Sequence, residues 1–301
     1  CLCYCHFFKF NGIVFMKTYF SCLTCFLDQA LRACRFMNLD QQKTRKIVNE
    51  VARLIPEIPM ESSPPETGRQ VYRIIKEISG NPDPYSSIKK ENTSGALALY
   101  PVMKKMVKAS SDPLAAAVRI AAAGNVIDCG VNASYVIEDE VERMLENDFA
   151  VFDMEPFLKD LKEAQHVLYI GDNAGECVFD RVLIEELQLP VTYVIRGKPI
   201  INDATEADAV EAGIDRIAEI ISSGTDAPGT VLSTCSREFL DLFSQPWLKI
   251  SKGQGNYEAL SGQDQSLYFL LKAKCRVIAR DLNVDQGQMI FACNPGNVYK
   301  S

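Results

Sequence analysis

Four short stretches concentrate the residue types that handle phosphate and hard cations. They are Gly171-Asp172-Asn173-Ala174-Gly175-Glu176, Arg196-Gly197-Lys198 with Asn202-Asp203 just beyond, Ser222-Ser223-Gly224, and Ser251-Lys252-Gly253-Gln254-Gly255-Asn256. Two carboxylates, Asp172 and Asp203, and the amide carbonyl of Asn173 make an oxygen-only donor set. Such a set suits Mg²⁺ or Mn²⁺, with open positions left for water and a phosphoryl group. The chain has two histidines. His6 lies in an apolar N-terminal stretch, and His166 opens a strand at the end away from the ligand rim, so a His-rich zinc centre is not expected. Lys252 and Lys198 are candidates to balance phosphate charge. The glycines around them, Gly253 among them, let backbone N–H groups approach an anion closely, and Ser223, Gly224 and Asn256 belong to the same rim. Taken singly, Asp172, Asn173 and Asp203 would serve equally well as helix caps, and Glu176 as a carboxylate favoured at a helix N-terminus. It is the recurrence of such residues at successive strand exits that favours a ligand site.

The elements that must position these residues follow from periodicity. Apolar residues at helical spacing predict helices over 22–37, 43–54, 69–79, 95–109 and 113–123, the last rich in alanine. The segments 60–68 and 79–87 read as loops from their Pro, Ser, Gly and Asn content, with Thr67 or Ser63 able to cap the helix that follows the first. Helices at 134–146 and 154–164 lead into a different pattern. Short apolar runs at 166–172, 190–197, 216–224, 247–253 and 268–275 alternate with helical stretches at 177–187, 205–212 and 235–243. That alternation predicts an α/β fold: a helical N-terminal part, residues 16–130, then a mainly parallel, Rossmann-like three-layer α/β domain, residues 131–301. In such sheets ligands bind beyond the carboxyl ends of the strands, where the four stretches lie.

Composition narrows the partners. A formal net charge of -7 over 301 residues does not suit a nucleic-acid binder, which needs a basic stripe. It leaves room for a basic pocket that takes a small phosphorylated metabolite. No uninterrupted apolar run approaches the ~18 residues of a membrane span, so no membrane partner is expected. The 11 cysteines are scattered through helix-like and strand-like stretches rather than forming a secreted disulfide framework, which points to a reducing cytoplasm. Residues 1–15 hold no motif and are expected to be an extension without functional weight. Cys22-Leu23-Thr24-Cys25 is a CxxC able to bind a soft metal or to cycle as a dithiol. Cys34, Cys129 or Cys275 are possible additions to it, and ordinary buried cysteines are the competing reading.

GDNAGECVFD, RGKPIINDAT, SSGTDAPG and ISKGQGNYEAL occur in this order and resemble the damage-control metal-dependent phosphatases, the family also known as domain of unknown function eighty-nine. The CxxC and the segment AAAGNVIDCG (121–130) are similar to its short stand-alone branch of archaea and bacteria, and the match runs from about Met16 to the end. The resemblance implies one divalent ion (Mn, Mg, Co or Ni) on Asp172, Asn173 and Asp203. It further implies a substrate site lined by Asn125, Asp128, Glu176 and Lys252, and hydrolysis of sugar phosphates or phosphopantetheine-like esters. Lys252 would stabilise the transferring group, with Glu176 or Asp128 handling the proton. Two rivals differ in class. GDNAGE could bind a nucleotide cofactor, as in a methyltransferase or dehydrogenase, although it lacks G-x-G-x-x-G spacing and Asp172 would oppose a pyrophosphate. A non-catalytic metal- or metabolite-binding module is the other.

Overall fold

The computed structural model describes residues 16–124, 149–263 and 267–293. The expected extension 1–15, the helix expected at 134–146, and Asn125, Asp128 and Cys129 lie outside the described residues.

The N-terminal part is helical. It begins with α1 (Phe20–Phe36), α2 (Gln41–Leu54) and α3 (Pro64–Ser79). Asp40 caps α2 by accepting the Lys43 N–H at 2.7 Å. Helix α3 starts five residues before its expected beginning. Ser63 and Glu66 form a reciprocal cap, and Pro64 occupies the first position, where its missing N–H costs nothing, so what reads as a loop is a start signal. Helix α4 (Ser86–Ala109) also extends beyond expectation and carries Pro101 within it, while α5 (Pro113–Ala123) matches it.

Seven strands form one sheet among the described residues, in the order β1-β7-β6-β5-β2-β3-β4. They are β1 (Phe149–Phe152), β2 (Val167–Ile170), β3 (Val191–Ile195), β4 (Glu219–Ser222), β5 (Leu248–Lys252), β6 (Leu267–Lys272) and β7 (Met289–Cys293). Strands β2 to β6 run parallel; β7 is antiparallel to β6, and β1 follows β7. The sequence reading lacks β1, which forms one edge, and β7 beside it; pairing with a neighbour defines both. The direction of strand succession reverses between β2 and β5. That is the topological switch point, where a crevice opens beyond the carboxyl ends.

Residues of β2 alternate between two cores. Val167 and Tyr169 join Ala117, Phe157, Val178 and Phe179 on one face, under α4, α5, α6 (Met154–Glu163) and α7 (Glu176–Leu187). Leu168 and Ile170 join Phe239, Tyr257 and Ile278 on the other, under α9 (Arg237–Phe243), α10 (Gln254–Leu260) and α11 (Arg276–Asp281). Burial of both faces, at about 25 cal/mol per Å² of apolar surface, is the main force holding the three layers together. The alanines of α5 let it lie close against α7. A third cluster contains Phe26, Ile47, Val71, Tyr72 and Ile75 of α1–α3, with Ile200 from the loop after β3. Hydrophobic packing therefore does not divide at residue 130: α4 and α5 share the core of the sheet, and only α1–α3 stand apart. Lys89 ties α4 to Asp83 and to Asp208 of α8 (Glu206–Glu211), 2.9 Å from each, and Arg69 of α3 pairs with Asp226. These contacts hold the helical cluster over the carboxyl edge of the sheet and enclose a cleft of ≈ 900 Å³. Among the described residues no helix is long and apolar enough to cross a membrane.

Candidate metal and phosphate site

The exits of β2 and β3 are joined by backbone. The Ala204 N–H donates to the Asp172 carbonyl at 2.8 Å, and the Ala174 N–H to the Asn202 carbonyl at 2.9 Å, making a short bridge between Asn173 and Asp203. This pairing brings Asp172, Asn173 and Asp203 onto one wall of the cleft. Gly253, at the exit of β5 across the switch point, has φ +79°, and a Cβ there would lie 2.0 Å from Asp172 Oδ2. Only glycine gives Asp172 its room.

Behind this wall stands Arg196, 1% exposed. Its Nε donates to Asp203 Oδ2 at 2.7 Å, Nη2 to Asn256 Oδ1 at 3.0 Å, and Nη1 to Thr230 Oγ1 at 3.2 Å. Asn256 Nδ2 donates to the Gly171 and Lys252 carbonyls at 3.1 and 2.8 Å. Asn256, expected at the substrate, is thus fully buried with both amide ends engaged, and it positions Arg196. Asn173 Nδ2 donates to Asp172 Oδ2 at 3.2 Å and to Glu176 Oε1. Glu176 Oε2 in turn accepts from Lys252 at 3.3 Å, and Lys252 also donates to Asp180 and to the Ala121 carbonyl at 2.8 Å. Lys252 is wholly buried and is absent from the cleft lining. Burial alone would lower its pKa, yet the Asp180 and Glu176 carboxylates hold it above the ordinary lysine value, as an ammonium.

The remaining expected contacts are elsewhere. Ser223 is buried and donates its hydroxyl to the Ile195 carbonyl at 2.8 Å, and Gly224 packs against Gly197 and Ser236. Both hold the β4 exit beside that of β3. Lys198 is exposed on the loop after β3 and does not line the cleft. Lys274 does. It shares the cleft lining with Asp172, Asn173 and Asp203, and its charge offsets part of the rise in both carboxyl pKa values. The sequence reading runs the last strand through residue 275. Because β6 ends at Lys272, Lys274 is another strand-exit residue, and the rule that located Asp172 locates it as well.

Burial, then Asp203 and Glu176, push Asp172 up to about 8. Burial likewise raises Asp203, offset in part by Arg196. A cation among these oxygens would reverse that penalty. With Nδ2 spent on Asp172 and Glu176, Asn173 Oδ1 receives no protein donor among the described residues. Nor is any group of three or more His, Cys, Asp or Glu side chains among them arranged to hold a metal ion. The two carboxylates with the Asn173 oxygen make an all-oxygen set, which fits a hard divalent cation.

Glu258 lines the cleft near α1, and burial raises it from 4.5 to about 7. The folded chain then keeps a proton that the unfolded chain releases, so this contribution is present below pH 4.5 and is lost as pH rises through about 7. Glu258→Gln is expected to gain ~1–3 kcal/mol on the wild type between these limits and no more above them. Urea melts of both proteins at pH 4.5, 6 and 8 check this; a difference independent of pH contradicts it.

A family model described as the damage-control phosphatase ARMT1-like domain matches residues 18–290. A damage-control phosphatase of Pyrococcus horikoshii is 36% identical over 286 residues, covering 93% of this chain and 99% of its own. One from Archaeoglobus fulgidus is 33% identical over 281 residues, covering 89% and 96%. An uncharacterized protein of Methanocaldococcus jannaschii is 36% identical over 296 residues, covering 94% and 97%. The crystal structure of a DUF89 family protein from P. horikoshii superposes with a TM-score of 0.88 at 35% identity, over 93% of this chain and 99% of that one. The strand exits, the cleft and these matches agree, and the chain belongs to the damage-control phosphatase family.

Proposed function

We propose that this protein is a metal-dependent phosphomonoester hydrolase acting on small phosphorylated metabolites such as sugar phosphates, in a reducing cytoplasm. One divalent ion (Mn, Mg, Co or Ni) would be held by Asp172, Asn173 and Asp203. Family membership supports the phosphatase class. The observation that carries the residue assignment is the backbone bridge between the β2 and β3 exits, which gathers two carboxylates and an amide oxygen on the wall of a cleft that Lys274 also lines. When bound, the ion would polarise a phosphoryl oxygen and orient a water for in-line attack.

The chain's own residues do the rest. Lys274 offsets the charge of the transferring phosphoryl group. Asn173 is held by its amide nitrogen, so its oxygen is the free end. Arg196 holds Asp203, and the Lys252–Glu176 pair holds Asn173, so both act by positioning. The nucleotide-cofactor reading loses support, because a Cβ at Gly171 would meet the Tyr193 hydroxyl at 2.5 Å, which assigns that glycine to internal packing rather than to a pyrophosphate.

The test is release of phosphate from p-nitrophenyl phosphate over a metal panel. Hydrolysis is expected to vanish after chelation and to return with one or more of the four ions; hydrolysis indifferent to chelator overturns the proposal, and binding without turnover supports a non-catalytic module. Lys274→Ala is expected to lower kcat/KM by ~10², the scale of losing one preorganised charge-stabilising donor, with metal affinity little changed. Unchanged kinetics in that variant remove Lys274 from the site.

A further inference from the structure

Seven cysteines among the described residues are free thiols, and three of them line the cleft. Cys22 and Cys25 lie in the first turns of α1, and Cys275 precedes α11. Glu258 and Gln254 lie beside them. Gln254 Nε2 donates to Glu258 Oε1 at 2.8 Å and to Cys275 Sγ at 3.6 Å, while the Tyr19 N–H donates to Cys22 Sγ and Gln29 Nε2 to Cys25 Sγ, both at 3.4 Å. Among the described residues no group of three or more His, Cys, Asp or Glu side chains is arranged to hold a metal ion.

The two cysteines of the CxxC differ in a useful way. Cys25 is exposed. Cys22 is half-buried, and burial followed by the charge of Glu258 pushes its thiol up to about 11, so it needs a base to react. Glu258 supplies one: it lines the cleft with Cys22, Gln254 joins it to Cys275, and burial raises its carboxyl to about 7. Residues three apart on a helix have Cβ atoms ~5–6 Å apart, against ~3.5–4.5 Å in a disulfide, so closure requires the turn to tighten. The start of α1 is already tight, since the Cys22 N–H donates to the Tyr19 carbonyl at 2.8 Å, and Cys22 is among the first four residues of the helix, whose amides have no ladder bond to lose.

We propose that Cys22 and Cys25 are a reversible dithiol–disulfide site on the cleft wall, through which ambient redox state sets hydrolysis in the cleft. The oxidant is a low-molecular-weight disulfide, RSSR. The Cys25 thiolate, its proton given to water, attacks one sulfur, forming the mixed disulfide and releasing RS⁻. Cys22 passes its proton to the Glu258 carboxylate and attacks Cys25 Sγ, expelling the second RS⁻. Both thiolates take up protons, so two protein thiols are oxidised to one disulfide and RSSR is reduced to two RSH. Closure draws in the start of α1, a helix that lines the cleft with Ser21, Phe26 and Gln29 as well. The activity readout rests on the phosphatase reading above; the thiol chemistry does not.

The experiment equilibrates the whole protein with oxidised or reduced glutathione, alkylates it, maps disulfides by mass spectrometry, and measures p-nitrophenyl phosphate hydrolysis with saturating Mn²⁺. A Cys22–Cys25 link is expected, with hydrolysis reduced at least fivefold and restored by dithiothreitol. Cys25→Ser and Cys22→Ser are expected to be insensitive to oxidant, Cys275→Ser to behave as wild type, and Glu258→Gln to form the link several-fold more slowly. No link, a Cys22–Cys275 link, a link without effect on an active enzyme, or stoichiometric zinc lost in Cys22→Ser each overturns the proposal. If neither redox state hydrolyses the ester, the phosphatase reading fails, while the disulfide map still decides the thiol site.

Discussion

Asp172→Asn is expected to lower kcat/KM for metal-stimulated ester hydrolysis by ~10³ or more, because several kcal/mol of transition-state stabilisation depends on the ion this carboxylate would help to hold. The variant keeps the side-chain shape. The fold should tolerate it, since Asp172 lies 3.7 Å from Arg196 whereas Asp203 makes the close pair at 2.7 Å. Asp203→Ala is a poorer test. It leaves Arg196 buried without its partner, at a cost of ~3–5 kcal/mol, and confuses lost chemistry with lost structure. Steady-state kinetics, metal titration and thermal melts of Asp172→Asn, with Asp203→Asn beside it, decide the matter. Wild-type turnover in either folded variant removes that residue from the metal site.

Lys252→Ala is expected to act first on stability. One ammonium, 0% exposed, serves two buried carboxylates, Glu176 and Asp180, and removing it strands both, which costs ~3–5 kcal/mol. For a domain of this size that is a fall in Tm of ~10 °C. Adding Asp180→Asn to Lys252→Ala should recover part of the loss, since one stranded charge is then gone. The glycine-rich setting of Lys252 suggests a phosphate contact. The fold instead directs its ammonium inward, to Ala121, Glu176 and Asp180. A Lys252→Ala protein that melts like wild type but turns over ~10²–10³ more slowly would return Lys252 to the phosphate, since that is the scale of one lost charge-stabilising donor. Thermal melts and single-turnover kinetics on the same preparations separate the outcomes.

What the sequence alone determined is local. Runs of apolar residues closed by Gly, Asn and Asp located β2, β3, β4 and β5 to within a few residues, and with them the strand exits that carry Asp172, Asn173 and Asp203. Helical spacing located the cores of α1, α2 and α5. The start of α3 was also legible, in Ser63, Pro64 and Glu66, once those residues are read as a cap. Other features depended on pairing between distant segments. The edge strand β1 and its neighbour β7 are defined by their register, β7 with β6 and the two with each other. That β2 and β5 are neighbours, so that Gly253 must be glycine beside Asp172, follows from strand order and not from any local pattern. The division of labour among the cations was likewise tertiary. Arg196, Lys252 and Lys274 all lie at strand ends, and any of them could meet phosphate by its position in the chain. Desolvation decided between them. Arg196 and Lys252 are enclosed, each neutralised by carboxylates contributed by other segments, while Lys274 remains at the cleft. A charge out of water needs a partner close by, and only the folded backbone sets which partners are within reach.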